Sequence, residues 1–462
     1  MTGLPVRHCS GCAAVVADPK VFACPHAHPG DDIDHVLVSP EPSGPWPDGA
    51  PGDPADEANP FVRYRQLSWT WALAQAAGLG DDRYVQLVAA LDDDVATIDR
   101  RDHGFVASPL RSEPALAKAL GLPTGTTLLA KDETGNVSGS HKARHLMGLM
   151  IHLLLLERLG LLRNRPHLAI ASCGNAALGA AVVAAAANWP LQVFVPPEAN
   201  PAVLHRLGNL EAQVELCARR ASQAGEAGDP CYLRFRAAVR AGAIPFATQG
   251  PENGLAIDGG ATLGYELADQ LVAEGRPAPD RLYVQVGGGA LAAATVAGLR
   301  TAVRLGRLDR QPRLVAVQTT GAFPLVRAYE RALVRLPHPM ALSEPEISSL
   351  LSRLARRRSE VMWPWEEQPR SLATGILDDE TYDWRAVLEG ILRSRGRAVA
   401  VGEPEIAQAH RLVHEHTRTD ADPTGTAGVA GLLSEVNADT PGIRPGGSGQ
   451  VVVVLLTGVT RR

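Results

Sequence analysis

This 462-residue chain has no uninterrupted apolar run of membrane-spanning length. The most apolar run, Met147 to Leu162, is broken by His152, Glu157 and Arg158. That argues against a membrane span and for a helix buried between a sheet and its neighbours. The amino end, Met1 to Cys9, lacks the apolar core of a secretion signal, so a cytoplasmic protein is expected. A basic excess is missing too: a formal net charge of -5 offers no electrostatic footprint for nucleic acid. Lysine is scarce beside arginine, which reads as compositional bias without functional meaning. Cysteine is sparse, six in all, too few and too uneven for a disulfide framework. What is present is an ordinary soluble composition, 45% apolar and 21% charged, long enough for two or three domains.

Three of the cysteines cluster at the amino end. His8-Cys9-Ser-Gly-Cys12 precedes Cys24-Pro-His26-Ala-His28. One C-x2-C knuckle, a third thiol and a nearby imidazole supply four tetrahedral ligands, so Cys9, Cys12, Cys24 and either His26 or His28 are the candidates for a structural zinc. The usual second C-x2-C is absent, and the other reading is a loose segment whose thiols bind nothing. No general base accompanies the set, which disfavours a catalytic metal. Residues 1–35 form this unit, and the Pro- and Gly-rich stretch 36–60 reads as a linker or wrapping arm.

Helical patterns follow over roughly 61–78 and 114–120, with an irregular stretch between them. From about residue 125 short β-branched or apolar runs (Leu168–Ala171, Leu191–Val195, Val214–Leu216, Leu282–Val286, Leu314–Val317, Val451–Leu456) alternate with helical patterns. Such alternation predicts an α/β protein with doubly wound parallel sheets. Ligands in those sheets bind beyond the carboxyl ends of strands.

The most informative stretch is Lys131 to Arg144. It sets Lys142 after a small-residue turn and at the start of a long helical run, beside backbone N–H groups that suit an anion. An amine there can form a Schiff base with an aldehyde cofactor that carries a phosphate. Two more loops each follow a strand-like run and open an Ala-rich helix. Ser172-Cys173-Gly174-Asn175 offers free N–H groups to a carboxylate. Gly287-Gly288-Gly289-Ala290 lets successive N–H groups converge on a phosphate without interference from Cβ atoms, and it lacks dinucleotide G-x-G-x-x-G spacing.

Glu133-x-x-Asn136-Val-Ser138-Gly139-Ser140-His141-Lys142-Ala-Arg144 resembles the E-x-x-N-P-T-G-S-F-K-D-R block of fold-type II pyridoxal-phosphate enzymes, which include threonine synthase, serine/threonine dehydratases and the tryptophan synthase β subunit. Val137, His141 and Ala143 depart from the threonine synthase form. The resemblance spans about residues 61–462. It implies two domains (61–140 with 246–462, and 141–245), pyridoxal phosphate in the cleft between them, and a homodimer. It also implies that Lys142 is the catalytic lysine and that Asn175, Gly287, Gly288, Gly289, Ala290, Thr457 and His141 contact the cofactor. Ser140, Ser172, Cys173 and Gly174 would bind an amino-acid substrate. A small zinc ribbon occurs in some threonine synthases, which agrees with the cysteine cluster.

By the same resemblance Thr457 meets the pyridine nitrogen. A hydroxyl does not hold that nitrogen protonated, which suits α-proton loss coupled to departure of a β-substituent. The family's G-L-K-D tail is missing after Thr457-Gly458, and basic residues that could read a substrate phosphate are limited to Arg144 and His141 near the motif. The expectation is therefore β-elimination or β-replacement, with threonine synthase-like γ-chemistry as the alternative. A degenerate binding protein on the same fold is the reading from another class. The aromatic segment 362–384 is expected to pack a lid rather than line a pocket.

Overall fold

The computed structural model describes residues 4–28, 30–47, 59–218, 228–336, 342–438 and 449–461. Residues 48–58 of the expected linker lie outside them. Among the described residues, thirteen strands form three sheets. The amino-terminal sheet comprises β1 (Arg7–Cys9), β2 (Val15–Val16) and β3 (Leu37–Val38), all antiparallel, with β1 central. The remaining strands are β4 (Leu110–Ser112), β5 (Thr127–Asp132), β6 (Leu168–Ala171), β7 (Leu191–Val195), β8 (Gln213–Leu216), β9 (Ile244–Pro245), β10 (Arg281–Gln285), β11 (Arg313–Thr319), β12 (Arg397–Val401) and β13 (Val451–Leu456). They build a six-stranded sheet ordered β12-β11-β10-β13-β5-β4 and a four-stranded sheet ordered β8-β7-β6-β9. Every pairing in these two sheets is parallel except β4 with β5.

The apolar runs form strands because both faces of each sheet are covered. Val451, Val453 and Leu455 point into one core with Leu282, Val284 and Leu314. Val452, Val454 and Leu456 point into the opposite core with Tyr283, Val315 and Val317. A strand buried on both sides has no reason to alternate with polar residues, so Val-Val-Val-Val-Leu-Leu is what a central parallel strand requires. The run Met147–Leu162 supplies most of the helix Lys142–Arg158, which packs against the helices Leu255–Ala273 and Asn175–Ala186. Glycines make the first of these contacts close: a Cβ on Gly148 would stand 2.6 Å from the Gly259 backbone.

One expectation is corrected. The stretch after residue 78 is not irregular: Asp81–Asp99 is a helix, with Tyr84, Leu87, Val88, Leu91 and Val95 at i, i+3, i+4 spacing on its buried face. Asp82, Asp93 and Asp94, which help to hide this pattern, are exposed on its outer face. Strand β5 was also not apparent from its sequence, because Lys131 and Asp132 end it. Lys131 is nonetheless wholly buried, its charge met by Glu266 at 2.8 Å.

Candidate active site

The four sequence motifs stand at the carboxyl ends of β5, β6, β10 and β13. Strand β10 has β11 on one side and β13 on the other, so its glycine loop opens where the winding of the sheet reverses.

The turn before Lys142 is fixed from below. Arg144 is fully buried and donates to Glu133 from Nε (2.8 Å) and Nη2 (3.0 Å), and to Glu266 from Nη1 (2.6 Å) and Nη2 (3.0 Å). Lys131 joins through Glu266 and also donates to Ser108 O (2.7 Å) and Gln270 Oε1 (2.9 Å). Asn136 Nδ2 donates to Glu133 at 2.7 Å. Two cations meet two carboxylates, with hydrogen bonds at the remaining positions, which is the condition for a tolerable buried charge cluster. Burial pushes Glu133 up, but Arg144 and Lys131 more than offset it and hold the carboxyl at about 2. Arg144 is therefore committed to the scaffold, and the expectation that it could read a substrate phosphate is corrected.

Above this cluster Ser138 (φ 55°) and Gly139 (φ 77°) are both left-handed, and the chain turns sharply into the helix that opens at Lys142. Lys142 N–H donates to Ser140 Oγ at 3.3 Å. Lys142 as a residue is partly exposed, while His141 and Arg144 beside it are buried. Burial lowers the pKa of its amine, and the carboxylates Asp378 and Asp383 oppose that shift.

His141 and Thr457, expected at the same cofactor, meet directly. Thr457 Oγ1 accepts the His141 backbone N–H at 3.2 Å and lies 2.8 Å from His141 Nδ1. Burial and the neighbouring cations hold the imidazole well below its usual pKa, so it is neutral. If Nδ1 carries the proton it donates to Thr457, and the hydroxyl proton is free for another acceptor. His141 Nε2 is buried and has no partner among the described residues.

Asn175 opens the helix after β6, with Ser172 Oγ accepting from Gly174 N at 3.4 Å and Cys173 exposed at the mouth. Its side chain is held by a residue that sequence reasoning missed. Arg461 donates to Asn175 Oδ1 at 2.7 Å and to Ser138 O at 2.7 Å. Arginine has only donors, so the amide oxygen must face it and Nδ2 must face away. The short carboxyl-terminal tail thus joins the Lys142 turn to the Asn175 loop. Arg461→Gln should free the Asn175 amide and cost about 1 kcal/mol in ligand affinity at that loop, roughly fivefold, as read by equilibrium binding.

The glycine loop leads into the helix Ala290–Arg304, and the first N–H groups of a helix have no partner within it. Gly289 is left-handed (φ 100°), and a Cβ on Gly288 would lie 3.0 Å from the Tyr382 ring. This cradle suits a phosphate. Residues 376–383 close over it: Thr381 Oγ1 donates to Gly287 O at 3.0 Å and Asp383 N donates to Gly288 O at 2.8 Å. The segment is acidic. Burial raises Asp378 to about 6, with Lys142 opposing, and raises Asp383 to about 8. The tryptophans nearby pack: Trp365 lies 4.5 Å from Phe323 between ring centroids, and Trp363 covers the Arg327 guanidinium at 3.7 Å.

Residues 103–458 match the family described as pyridoxal-phosphate dependent enzyme. The chain belongs to that family. Its relatives include threonine synthase from Mycobacterium bovis, 26% identical over 70% of this chain and 74% of the relative. L-threonine ammonia-lyase from Thermotoga maritima is 26% identical over 71% of this chain and 68% of the relative. Among solved structures, a threonine deaminase from T.th. matches with a TM-score of 0.55 and 23% identity, covering 80% of this chain and 98% of that one. The last likeness shows the shared fold of the family.

The amino-terminal cluster differs from its sequence expectation in one ligand. Donor atoms of Cys9, Cys12, Cys24 and His35 all lie within 4.8 Å of one another. His26 and His28 are exposed and outside the group. The chain from Cys24 carries them outward, while β3 returns His35 to the knuckle. Zn–S bonds of about 2.3 Å and a Zn–N bond of about 2.0 Å in a tetrahedron place sulfurs about 3.8 Å apart and sulfur about 3.5 Å from nitrogen. Cys12 and Cys24 sulfurs are 3.7 Å apart, and Cys9 Sγ lies 3.5 Å from His35 Nδ1. His35 Nε2 meets Asp31 at 3.2 Å, the outer carboxylate that aims a ligating imidazole. The donor set fits one zinc-class ion.

Proposed function

We propose that this protein catalyses pyridoxal-phosphate-dependent β-elimination or β-replacement on an amino acid that carries a β-leaving group. The observation that carries the reading is Lys142 at the first position of its helix, its amine buried beside Asp378 and Asp383, on the turn that Thr457 and Arg461 tie to the Asn175 loop. The bound cofactor supplies an electron sink for the bond broken at Cα. Lys142 anchors it, then removes the Cα proton and returns one, a role that its lowered pKa favours. Gly287, Gly288, Gly289 and Ala290 hold the phosphate. Asn175, fixed by Arg461, would offer Nδ2 to the cofactor's phenolic oxygen, and Thr457 would offer its hydroxyl proton to the ring nitrogen when His141 Nδ1–H donates to Thr457. Ser140, Ser172, Cys173 and Gly174 bind the substrate carboxylate and orient the scissile bond.

We assign the four-stranded sheet to the smaller domain (141–245) and the six-stranded sheet to the larger one (61–140 with 246–462), with the cofactor in the cleft between them. A cytoplasmic homodimer rests on the family resemblance. No helix among the described residues is long and apolar enough to cross a membrane. Cys9, Cys12, Cys24 and His35 are proposed to hold a structural zinc.

A second reading, γ-replacement on a phosphorylated homoserine, draws on the threonine synthase relatives. Against it, Arg144 is consumed by Glu133 and Glu266, Arg358 by Glu380, and Arg461 by Asn175 and Ser138. The carboxyl groups of Asp378, Asp379 and Asp383 then dominate the cover of the site. None of these three arginines is left to meet a phosphate-bearing side chain.

The test is the visible absorption of protein supplied with pyridoxal phosphate during titration with serine, threonine, their O-phospho forms and O-phosphohomoserine. A band that shifts with β-substituted amino acids supports the proposal. A shift with O-phosphohomoserine alone moves the reading to γ-chemistry. Absence of any band leaves a binding protein on an enzyme fold.

A further inference from the structure

The amino-terminal knuckle is joined to the cover of the glycine loop by contacts that advance one residue at a time. His35 is a candidate ligand, and Asp34 precedes it. Asp34 N donates to Ala355 O at 2.7 Å, and Asp34 Oδ1 accepts from Trp384 Nε1 at 3.1 Å, with Arg358 Nε at 3.5 Å. Asp32 accepts from Arg358 N through its carbonyl at 2.9 Å, and from Ser359 N (2.6 Å) and Ser359 Oγ (2.8 Å) through its carboxylate. Arg358 in turn pairs with Glu380. Trp384 is wholly buried and follows Asp383, whose backbone N–H holds Gly288 O and whose Oδ1 accepts Gly250 N at 3.0 Å.

Besides these contacts the loop is tied to the knuckle by Ser10 N, which donates to Val36 O at 2.8 Å. Residues 31–36 have no regular secondary structure, and the sheet beneath them has strands of three, two and two residues. Its buried core is Cys9, Val16, Cys24 and Leu37, so half of it is thiol. Its own core is too small to fix its conformation, which rests on contacts with the body such as Pro19 O with His152 Nε2 at 2.9 Å and on any staple within it. Four ligands on one ion would provide it and set His35, hence Asp34, in place.

We infer that the ion held by Cys9, Cys12, Cys24 and His35 fixes residues 374–384 over the glycine loop through the Asp34–Trp384 contact, and so controls how firmly an anion is kept there. The inference rests on the metal reading given above and not on the chemistry at Lys142. When the ion leaves, the 31–36 loop loosens, Asp34 no longer holds Trp384, and the cover opens. If the cover is in place for about a tenth of the time, apparent affinity for the phosphate-bearing ligand falls about tenfold.

The experiment uses the full chain as purified. Metal content, amide hydrogen exchange of peptides spanning 374–384, and retention of pyridoxal phosphate are measured before chelation, after it, and after Zn2+ is restored. The expected result is one ion per chain, faster exchange at 374–384 once it is removed, recovery on restoration, and weaker retention of the cofactor in parallel. Asp34→Ala removes the acceptor of this hydrogen bond and leaves the buried indole in place. It should speed exchange at 374–384 with the ion still bound. Loss of the ion with unchanged exchange at 374–384 overturns the coupling, as does an Asp34→Ala chain that exchanges like the parent. Absence of a stoichiometric ion after Zn2+ is supplied overturns the metal reading itself. A chain that shows the exchange response but no visible band at any stage retains the coupling and loses the cofactor reading.

Discussion

Lys142→Ala gives a folded protein with no cofactor-linked visible band and turnover lower by about 10²–10⁴-fold or more, the range that a positioned proton-transfer group supplies. The substitution is gentle on the fold. Lys142 lies at the first position of its helix, its side chain makes no hydrogen bond to the described residues, and alanine is a good helix former. The same position explains why this lysine can react. Burial lowers its pKa, so a larger fraction of the amine is neutral near pH 7. Lys131 cannot substitute for it, because its ammonium is enclosed by Glu266, Ser108 O and Gln270. Reductive trapping of bound pyridoxal phosphate should therefore label the peptide containing Lys142 and not the one containing Lys131 alone. A band and turnover that persist in Lys142→Ala would remove the mechanism.

Arg144→Met is expected to cost about 3–5 kcal/mol of stability, as measured by denaturant unfolding at pH 7. It removes one cation from a buried set of four charges and leaves Glu133 and Glu266 facing only Lys131. The loss should depend on pH. Glu133 has its carboxyl depressed to about 2 in the folded chain, below the ordinary glutamate value of about 4.3. A depressed acid contributes stability that is present above its unfolded pKa and is lost as pH falls through the folded one. The parent chain should lose this contribution between about pH 4 and 2. In Arg144→Met the carboxyl rises toward or above its ordinary value, so acid unfolding begins at higher pH. Equal acid midpoints for the two chains would show that the cluster does not govern the turn. The effect on function follows from the stability effect, because Asn136, held by Glu133, starts the turn that presents Lys142.

How much of this was legible in the sequence depended on the range of the interactions involved. The runs Leu168–Ala171, Leu191–Val195 and Val451–Leu456 coincide with β6, β7 and β13, because a strand covered on both faces needs only a short continuous apolar run. The helix Asp81–Asp99 was missed because its seven charged residues interrupt the apolar ones that decide its state. The glycine loop and the Ser172–Asn175 loop stand directly after strands and before helices, where backbone geometry alone makes an anion site.

The sequence by itself determined the local backbone of this protein: the turn before Lys142, the loops at strand ends, and the alternation that makes parallel sheets. Those features depend on neighbours within a few residues, and the residue types there allow few alternatives. Tertiary structure alone decided which side chains meet. Arg144 is a scaffold residue because Glu266, 122 positions away, closes on it. His35 replaces His26 and His28 in the knuckle because β3 brings it back beside Cys9, 26 positions away. Arg461 fixes Asn175 across 286 positions, and Asp34 meets Trp384 across 350. Spacing along the chain carries no information about such pairs, since only the closing of the sheets sets the distance between them.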